Sequence, residues 1–309
     1  MGLAGRARAH PLSLVAGAAP SRSRAIAPRV TVIIATYNWS TVLPYSIGSV
    51  LRQTFADWEL LVIGDGCSDD SAAVVRTFDD PRVQWLNLPA NTGHQSGPNN
   101  EGLRRAAGEL VAYLGHDDLW LPHHLALLVA EIDRGAVAAY GITELVAPGD
   151  RAVEPAPRRL DAYRPGTWIP PTGLVHRRSV ALELGGWRKP GETRVDPEVD
   201  LLERIAARGG EVAFVRRLTA VKFPAAVRRD VYRERPCAEQ ARYFARSGEA
   251  SFEAVELARL LERAERATFR TLVRRELGRL RNDAWRLLLG YRRGVLSRRR
   301  RRKGLAPAP

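Results

Sequence analysis

The sequence predicts an α/β fold in which a mostly parallel central sheet is flanked by helices. Short, uninterrupted aliphatic runs recur, VTVIIA at 30–35, WELLVI at 58–63 and LVAYL at 110–114. Runs of this kind are buried on both faces of a parallel sheet. Segments with helical spacing separate them, and polar turn residues close each run, which is the alternation that builds a parallel sheet.

Taken in order, 30–35 is the first strand and Thr36, Tyr37 and Asn38 form the turn after it. Residues 41–52 carry helical spacing through Val42, Tyr45, Ser49, Val50 and Leu51. The second strand, 58–63, breaks at Gly64, Asp65 and Gly66, and 71–78 reads as a helix with Asp69 and Asp70 at its positive end. A third strand at 83–88, a helix at 98–107 and a fourth strand at 110–114 complete this half, with a helix expected to begin over 119–125. Beyond it, 135–140 reads as a strand, 150–171 as a Pro/Arg-rich loop, and 179–184 and 200–208 as helices. From Cys237 onward an apolar stripe runs through Leu257, Leu260, Leu261, Ala264, Leu272, Val273, Leu277 and Leu280. The expected organisation is a disordered lead at 1–28, an α/β domain at 29–235 with halves 29–125 and 126–235, a helical extension at 236–296, and a basic disordered tail at 297–309.

The 309 residues and 45% hydrophobic content are sufficient for a sizeable core. Two cysteines, Cys67 and Cys237, make no disulfide framework, and no Cys/His cluster has zinc spacing, so a reducing compartment is the default. The net charge of +14 is not spread evenly. Residues 1–29 hold five arginines and no acids, and 263–303 hold 16 basic and 3 acidic side chains, which leaves the middle mildly acidic. Such basic ends suit an anionic surface, and the basic C-terminal helix is expected to meet anionic membrane head groups. Nucleic acid is the weaker partner, because no aromatic stacking module accompanies the charge. No run approaches the roughly 18 apolar residues of a spanning helix. A cytoplasmic chain, at most peripheral on the inner face of the membrane, is therefore expected.

In a sheet of this type, ligands bind outside the carboxyl ends of the strands. Thr36, Tyr37, Asn38, Asp65, Asn91, Gly93, His116, Asp117 and Asp118 all fall there. Adjacent buried carboxylates at Asp117 and Asp118 call for a neutralising cation, and Mg²⁺ or Mn²⁺ held with substrate phosphates would supply one. The plainer reading is that Asp118 caps the following helix and that Asp65 is an ordinary turn residue.

VTVIIATYN (30–38), VIGDGCSDDS (62–71), NTG (91–93), Asn99 and Gly102, GEL (108–110) and YLGHDDLWLP (113–122) occur in the order found in the large inverting GT-A family of bacterial glycosyltransferases, which the chain resembles over about 190 residues. The resemblance implies a GT-A fold and a nucleoside-diphosphate-sugar donor, linked to UDP, GDP or dTDP. The acceptor would be a carbohydrate or lipid-linked hydroxyl. It further implies that Thr36, Tyr37 and Asp65 meet the nucleoside and that Asp117, with Asp118 beside it, binds the metal. Where the family commonly has Asp-Ser-Asp-Asp, this chain has Gly115-His116-Asp117-Asp118, so the first acid is missing. His116 is a candidate to replace its hydrogen bond. The DPEVD segment (196–200) occupies the place of the family's Glu-Asp-x-Asp-Leu. Glu198 then falls on the catalytic base, with Asp196 as the second choice and Asp200 orienting or capping. The missing acid and altered base leave a second class open, a catalytically degenerate domain acting as a nucleotide-binding or membrane-associated scaffold.

Overall fold

The computed structural model describes residues 27–149, 151–157, 162–265 and 296–306, with isolated positions between 273 and 288. The four runs marked as strands form β1 (Val30–Thr36), β2 (Trp58–Gly64), β3 (Val83–Asn87) and β4 (Leu110–Gly115). They pair in parallel, β3 to β2 to β1 to β4. Helices α1 (Leu43–Leu51), α2 (Ser71–Arg76) and α3 (Ser96–Arg105) make the crossovers. Because strand side chains alternate faces, Val30, Val32 and Ile34 join a core with Leu43, Ile47 and, from α4 (His124–Asp133), Leu125 and Leu128. Ile33, Leu61 and Ile63 point the other way, into a second core with Leu103, Trp187, Leu201 and Ile205.

The second half changes direction. The full order is β3-β2-β1-β4-β8-β6-β9-β5, with β7 beside β6. Strand β8 (Leu174–Arg177) runs antiparallel to both β4 and β6 (Ala138–Ala147). Strand β9 (Val212–Lys222) is parallel to β6, and β5 (Leu119–Trp120) is antiparallel to β9. The sheet is therefore mixed, with its parallel order concentrated in the first half. Strand β7 (Arg151–Ala156) forms inside the stretch expected to be loop, since it continues a hairpin from β6.

The helix expected to begin over 119–125 starts late in that window, at His124, and strand pairing takes its first residues. Leu119 and Trp120 pair with Val221 and Ala220, and α4 begins only at His124, so Asp118 caps nothing. Helix α5 (Arg178–Glu183) follows β8, and α6 (Pro197–Ala207) starts with Asp196 as its N-cap residue, earlier than 200–208. Pro197 at the first position explains the start, because it lacks the N–H that a first turn leaves unused. Helices α7 (Val231–Glu234), α8 (Ala238–Arg246) and α9 (Phe252–Glu265) follow, and Tyr243 and Phe252 bury themselves against Phe223, Leu218 and Leu119.

The basic tail is a structured part of the molecule over its described residues. Ser297–Arg302 forms helix α10, closed by Gly304 at φ +82°. Leu305 N–H donates to Arg300 O at 3.0 Å and Gly304 N–H to Arg301 O at 3.1 Å, the pattern by which a left-handed glycine satisfies a helix's last carbonyls. The expected lead before residue 27 and the apolar stripe at Leu272 lie outside the described residues. Among the described residues, no helix is long and apolar enough to cross a membrane.

Candidate active site

The carboxyl ends of β1, β2 and β3 are tied together by their own turn residues. Asp65 N–H donates to Thr36 O at 2.8 Å, and the Asp65 carboxylate accepts from Thr92 N–H at 2.9 Å. Asn91 Nδ2 donates to Asp65 O at 3.1 Å, while Asn91 Oδ1 accepts Gly93 N–H at 2.9 Å. Gly66 is obligatory here. It sits at φ +72°, and a Cβ on it would lie 2.5 Å from Asn91 N. Asp65 is buried, and burial raises its carboxyl above the ordinary range despite the Thr92 and Gly93 amides. Asn38, at φ 44°, accepts Ser68 N–H at 2.8 Å and so joins the first loop to the second. Tyr37 stands half-buried beside it.

His116 bridges rather than faces solvent. One ring nitrogen shares a hydrogen bond with Thr36 Oγ1 at 2.9 Å and the other with Tyr232 OH at 3.3 Å, with Trp39 edge-on at 5.4 Å. Burial, helped by Lys303 and Lys222, holds its pKa down near 4, so the ring is neutral.

The two adjacent carboxylates are not equivalent. Asp118 has no exposed surface, and its carboxylate receives Lys222 Nζ at 2.7 Å, Phe223 N–H at 3.0 Å and the Thr172 hydroxyl. The ends of β4 and β9 are clamped together by it. Asp117 is buried beside it, and burial together with the Asp118 charge pushes its carboxyl up to about 7. Lys222 keeps its charge: burial favours the neutral amine, but Asp118 and Asp117 outweigh it and raise the pKa. The two aspartates therefore differ in how free their carboxylates are to meet a metal. Asp118 is fully engaged, and no group of three or more His, Cys, Asp or Glu among the described residues could hold a metal ion. Asp117 alone remains available for an ion shared with substrate phosphates, a donor set that Mg²⁺ accepts.

Across the crevice, Asp196 and Glu198 stand at the start of α6. Glu198 Oε1 accepts Trp168 Nε1–H at 3.1 Å, and burial with the neighbouring Asp196 charge raises its pKa. Its charge also acts, weakly, on Lys222. Asp200 turns away, pairing with Arg204 at 2.8 Å and Arg188 at 3.2 Å. Arg204 also donates to Leu184 O and Gly186 O at 2.9 and 2.7 Å, so Asp200 fastens α6 to the preceding loop. Trp120 and Trp187 are buried in the core, whereas Trp168 meets the acid pair.

Sequence reasoning overlooked Lys222, Tyr232 and Thr172. They lie far along the chain and carry no local motif; only the pairing of β9 with β5 and β6 brings Lys222 to Asp118. A small cavity of about 30 Å³, lined by Gln95, Asn99, Gly115, Thr172 and Lys222 among others, opens between the two halves at this point.

A mixed sheet, parallel over its first half and flanked by helices on both sides, is the architecture of GT-A-like proteins. The structure resembles S. aureus TarS 1-349 in complex with UDP-GlcNAc, with TM-score 0.55 and 17% identity over 63% of this chain and 58% of that one. The corresponding complex with UDP gives TM-score 0.55 and 18% identity over 76% and 70%. Residues 31–179 match the family described as Glycosyl transferase family 2, and the chain carries a domain of that family. A UDP-Glc:alpha-D-GlcNAc-diphosphoundecaprenol beta-1,3-glucosyltransferase of Escherichia coli is 34% identical over 118 residues, 38% of this chain and 46% of that protein. A GalNAc(5)-diNAcBac-PP-undecaprenol beta-1,3-glucosyltransferase of Campylobacter jejuni is 34% identical over 119 residues, 37% and 38% of the two chains. The chain thus spans about half, or less, of the length of these curated relatives.

Proposed function

We propose that the chain transfers a sugar from a nucleoside-diphosphate donor to a hydroxyl of a carbohydrate or lipid-linked acceptor, with inversion at the anomeric carbon. The observation that carries this reading is the convergence in one crevice of Asp65 on the nucleotide loops, Asp117 at the end of β4, and Glu198 at the start of α6. Relatives named for transfer to undecaprenyl-diphosphate-linked sugars support a lipid-linked acceptor. Such an acceptor would bring the enzyme to the inner face of a membrane.

Glu198 is the base. Its raised pKa lets it hold the proton that leaves the acceptor hydroxyl as the oxygen attacks opposite the leaving diphosphate, and Trp168 fixes the carboxylate's direction. A Glu in place of the family's Asp extends the carboxylate by about 1.5 Å, and the Trp168 contact defines where the longer side chain ends. Asp65 receives the nucleoside, in a loop held in shape by Thr92, Asn91 and Gly93. Asp117 would hold Mn²⁺ or Mg²⁺ together with the donor phosphates, the ion offsetting charge on the leaving group. Lys222 keeps Asp118 ionised and in place, and Asp200 anchors α6.

The test is calorimetric titration of UDP, GDP and dTDP with Mn²⁺ or with EDTA, into the native chain, Asp117→Asn and Asp65→Ala. One nucleotide is expected to bind the native chain, to lose metal dependence in Asp117→Asn, and to lose binding in Asp65→Ala. If none binds, the crevice is that of a scaffold that has lost its donor.

A further inference from the structure

Helix α10 does not trail from the domain; it lies across the mouth of the crevice. Its last turn is received by the segment before α7, where Asp230 N–H donates to Arg302 O at 2.9 Å and Tyr232 N–H to Lys303 O at 3.1 Å. These bonds satisfy carbonyls that a helix end otherwise leaves without partners. The side chains then reach both halves of the site. Arg300 Nη1 donates to Gly93 O at 2.5 Å on the nucleotide loops, and its charge acts on Asp65. Arg299 Nη1 lies 3.4 Å from Asp196 Oδ1 at the start of α6. Lys303 Nζ stands 5.9 Å from the centre of the Tyr232 ring, the ring that hydrogen-bonds His116, and its charge acts on Asp117.

We propose that Arg300 and Lys303 of this C-terminal strap, facing Lys222 at the end of β9, form a diphosphate-binding site that completes the donor pocket. The inference rests on the donor-site reading above and adds the substrate group and the residues that hold it. The charge arrangement argues for an anion. Lys222 is matched by Asp118 and Arg299 by Asp196. Lys303 stands over the Tyr232 ring, and the charges of Lys222, Arg299 and Arg300 all act on it. Holding cations this close is unfavourable until an anion joins them. A diphosphate is the anion whose place lies here, beside the nucleotide loops that meet Arg300. Guanidinium and ammonium donors would bind its oxygens through charge-assisted hydrogen bonds. The strap would thereby supply positive charge where Asp118 is engaged and the family's first acid is replaced by Gly115.

The experiment measures binding of UDP, UMP and uridine to the full chain in EDTA, with the guanosine series in parallel, for the native protein, Arg300→Gln, Lys303→Gln and Arg301→Gln. Arg301 is an exposed arginine of the same helix and controls for bulk charge. Arg300→Gln and Lys303→Gln are each expected to weaken diphosphate binding by about 10- to 100-fold, the worth of a hydrogen bond to a charged group, with nucleoside binding unchanged. Arg301→Gln should change neither. Equal diphosphate affinity in all four proteins, or tighter binding once the strap is altered, overturns the inference, the second because the strap would then compete with the donor. Geranyl diphosphate serves as a further probe: if its binding falls while that of UDP and GDP does not, the cations serve the acceptor's diphosphate and the inference fails. A native chain that binds no nucleoside and no nucleotide either in EDTA or with Mn²⁺ overturns the donor-site reading itself.

Discussion

Lys222 Nζ lies 2.7 Å from Asp118 Oδ2, joining the ends of β9 and β4 through a carboxylate with no exposed surface. Removing the amine would leave that carboxylate with one amide and one hydroxyl for its charge. Lys222→Met is expected to destabilise the fold by about 3 kcal/mol, near the lower end for breaking a buried pair because the lysine is 20% exposed. Asp118→Asn combined with Lys222→Met should recover much of the loss. Denaturant unfolding of the two single variants and the double variant measures the coupling. Additive effects would mean that the pair is not the clamp.

Gly115 explains why the family's first acid cannot simply be restored. A Cβ at this position would lie 2.4 Å from Asp118 Oδ2 and 3.3 Å from Asp117 Oδ1. Gly115→Asp therefore crowds the clamp and adds a third carboxylate. We expect a loss of about 1–3 kcal/mol from overpacking, with weaker rather than stronger metal-dependent nucleotide binding. Thermal unfolding with and without nucleotide and Mn²⁺ reads both effects. A stable Gly115→Asp variant with tighter nucleotide binding would show that the lost acid is only a substitution.

Trp168 donates its indole N–H to Glu198 at 3.1 Å, and that bond favours the ionised carboxylate. Trp168→Phe removes the donor and leaves burial and Asp196 to raise the pKa further. If Glu198 acts as base, the acid limb of the kcat/KM profile moves to higher pH in Trp168→Phe, and Glu198→Gln loses about 100-fold or more in kcat. Asp200→Asn should instead lower stability through the Arg204 and Arg188 contacts, with the pH profile unmoved. An unshifted limb in Trp168→Phe would remove Glu198 from the role.

The first half was legible because its strands are buried on both faces and its candidate site residues sit in turns directly after them. Asp65, Asn91 and Gly93 do meet in one loop cluster, and His116 and Asp117 stand at the end of β4. The acceptor half was less legible. Strand β9 alternates less regularly, with Arg216 and Arg217 at a register shift opposite Gly141 and Ile142, and its pairing partners are distant in sequence. The helix expected to begin over 119–125 starts only at His124, because Leu119 and Trp120 pair with β9 first, a case of tertiary contacts overriding local preference. Composition marked the arginines at 298–302 as a solvated tail, since nothing local in the sequence records that Asp230 and Tyr232 receive them.

Glu144 on β6 and Glu256 on α9 are both fully buried, and neither Glu144 oxygen finds a hydrogen-bond donor. Glu256 takes Arg246 at 2.9 Å and Arg259 at 2.6 Å, whereas Glu144 meets neither arginine and keeps its proton. Burial, followed by the Glu256 charge, raises Glu144 from 4.5 to about 8. The folded chain then keeps a proton that the unfolded chain releases. Stability from this group is fully present below about 4.5 and declines as pH rises through about 8. Glu144→Gln, which keeps a donor for Glu256 without a titrating proton, is expected to flatten that decline and to be more stable than the native chain at pH 8 by at least about 1 kcal/mol. Unfolding free energies for both proteins between pH 5 and 9 provide the check, since the predicted difference grows with pH. Parallel curves would place the proton elsewhere and leave α9 held to β6 by Phe252 and its apolar neighbours alone.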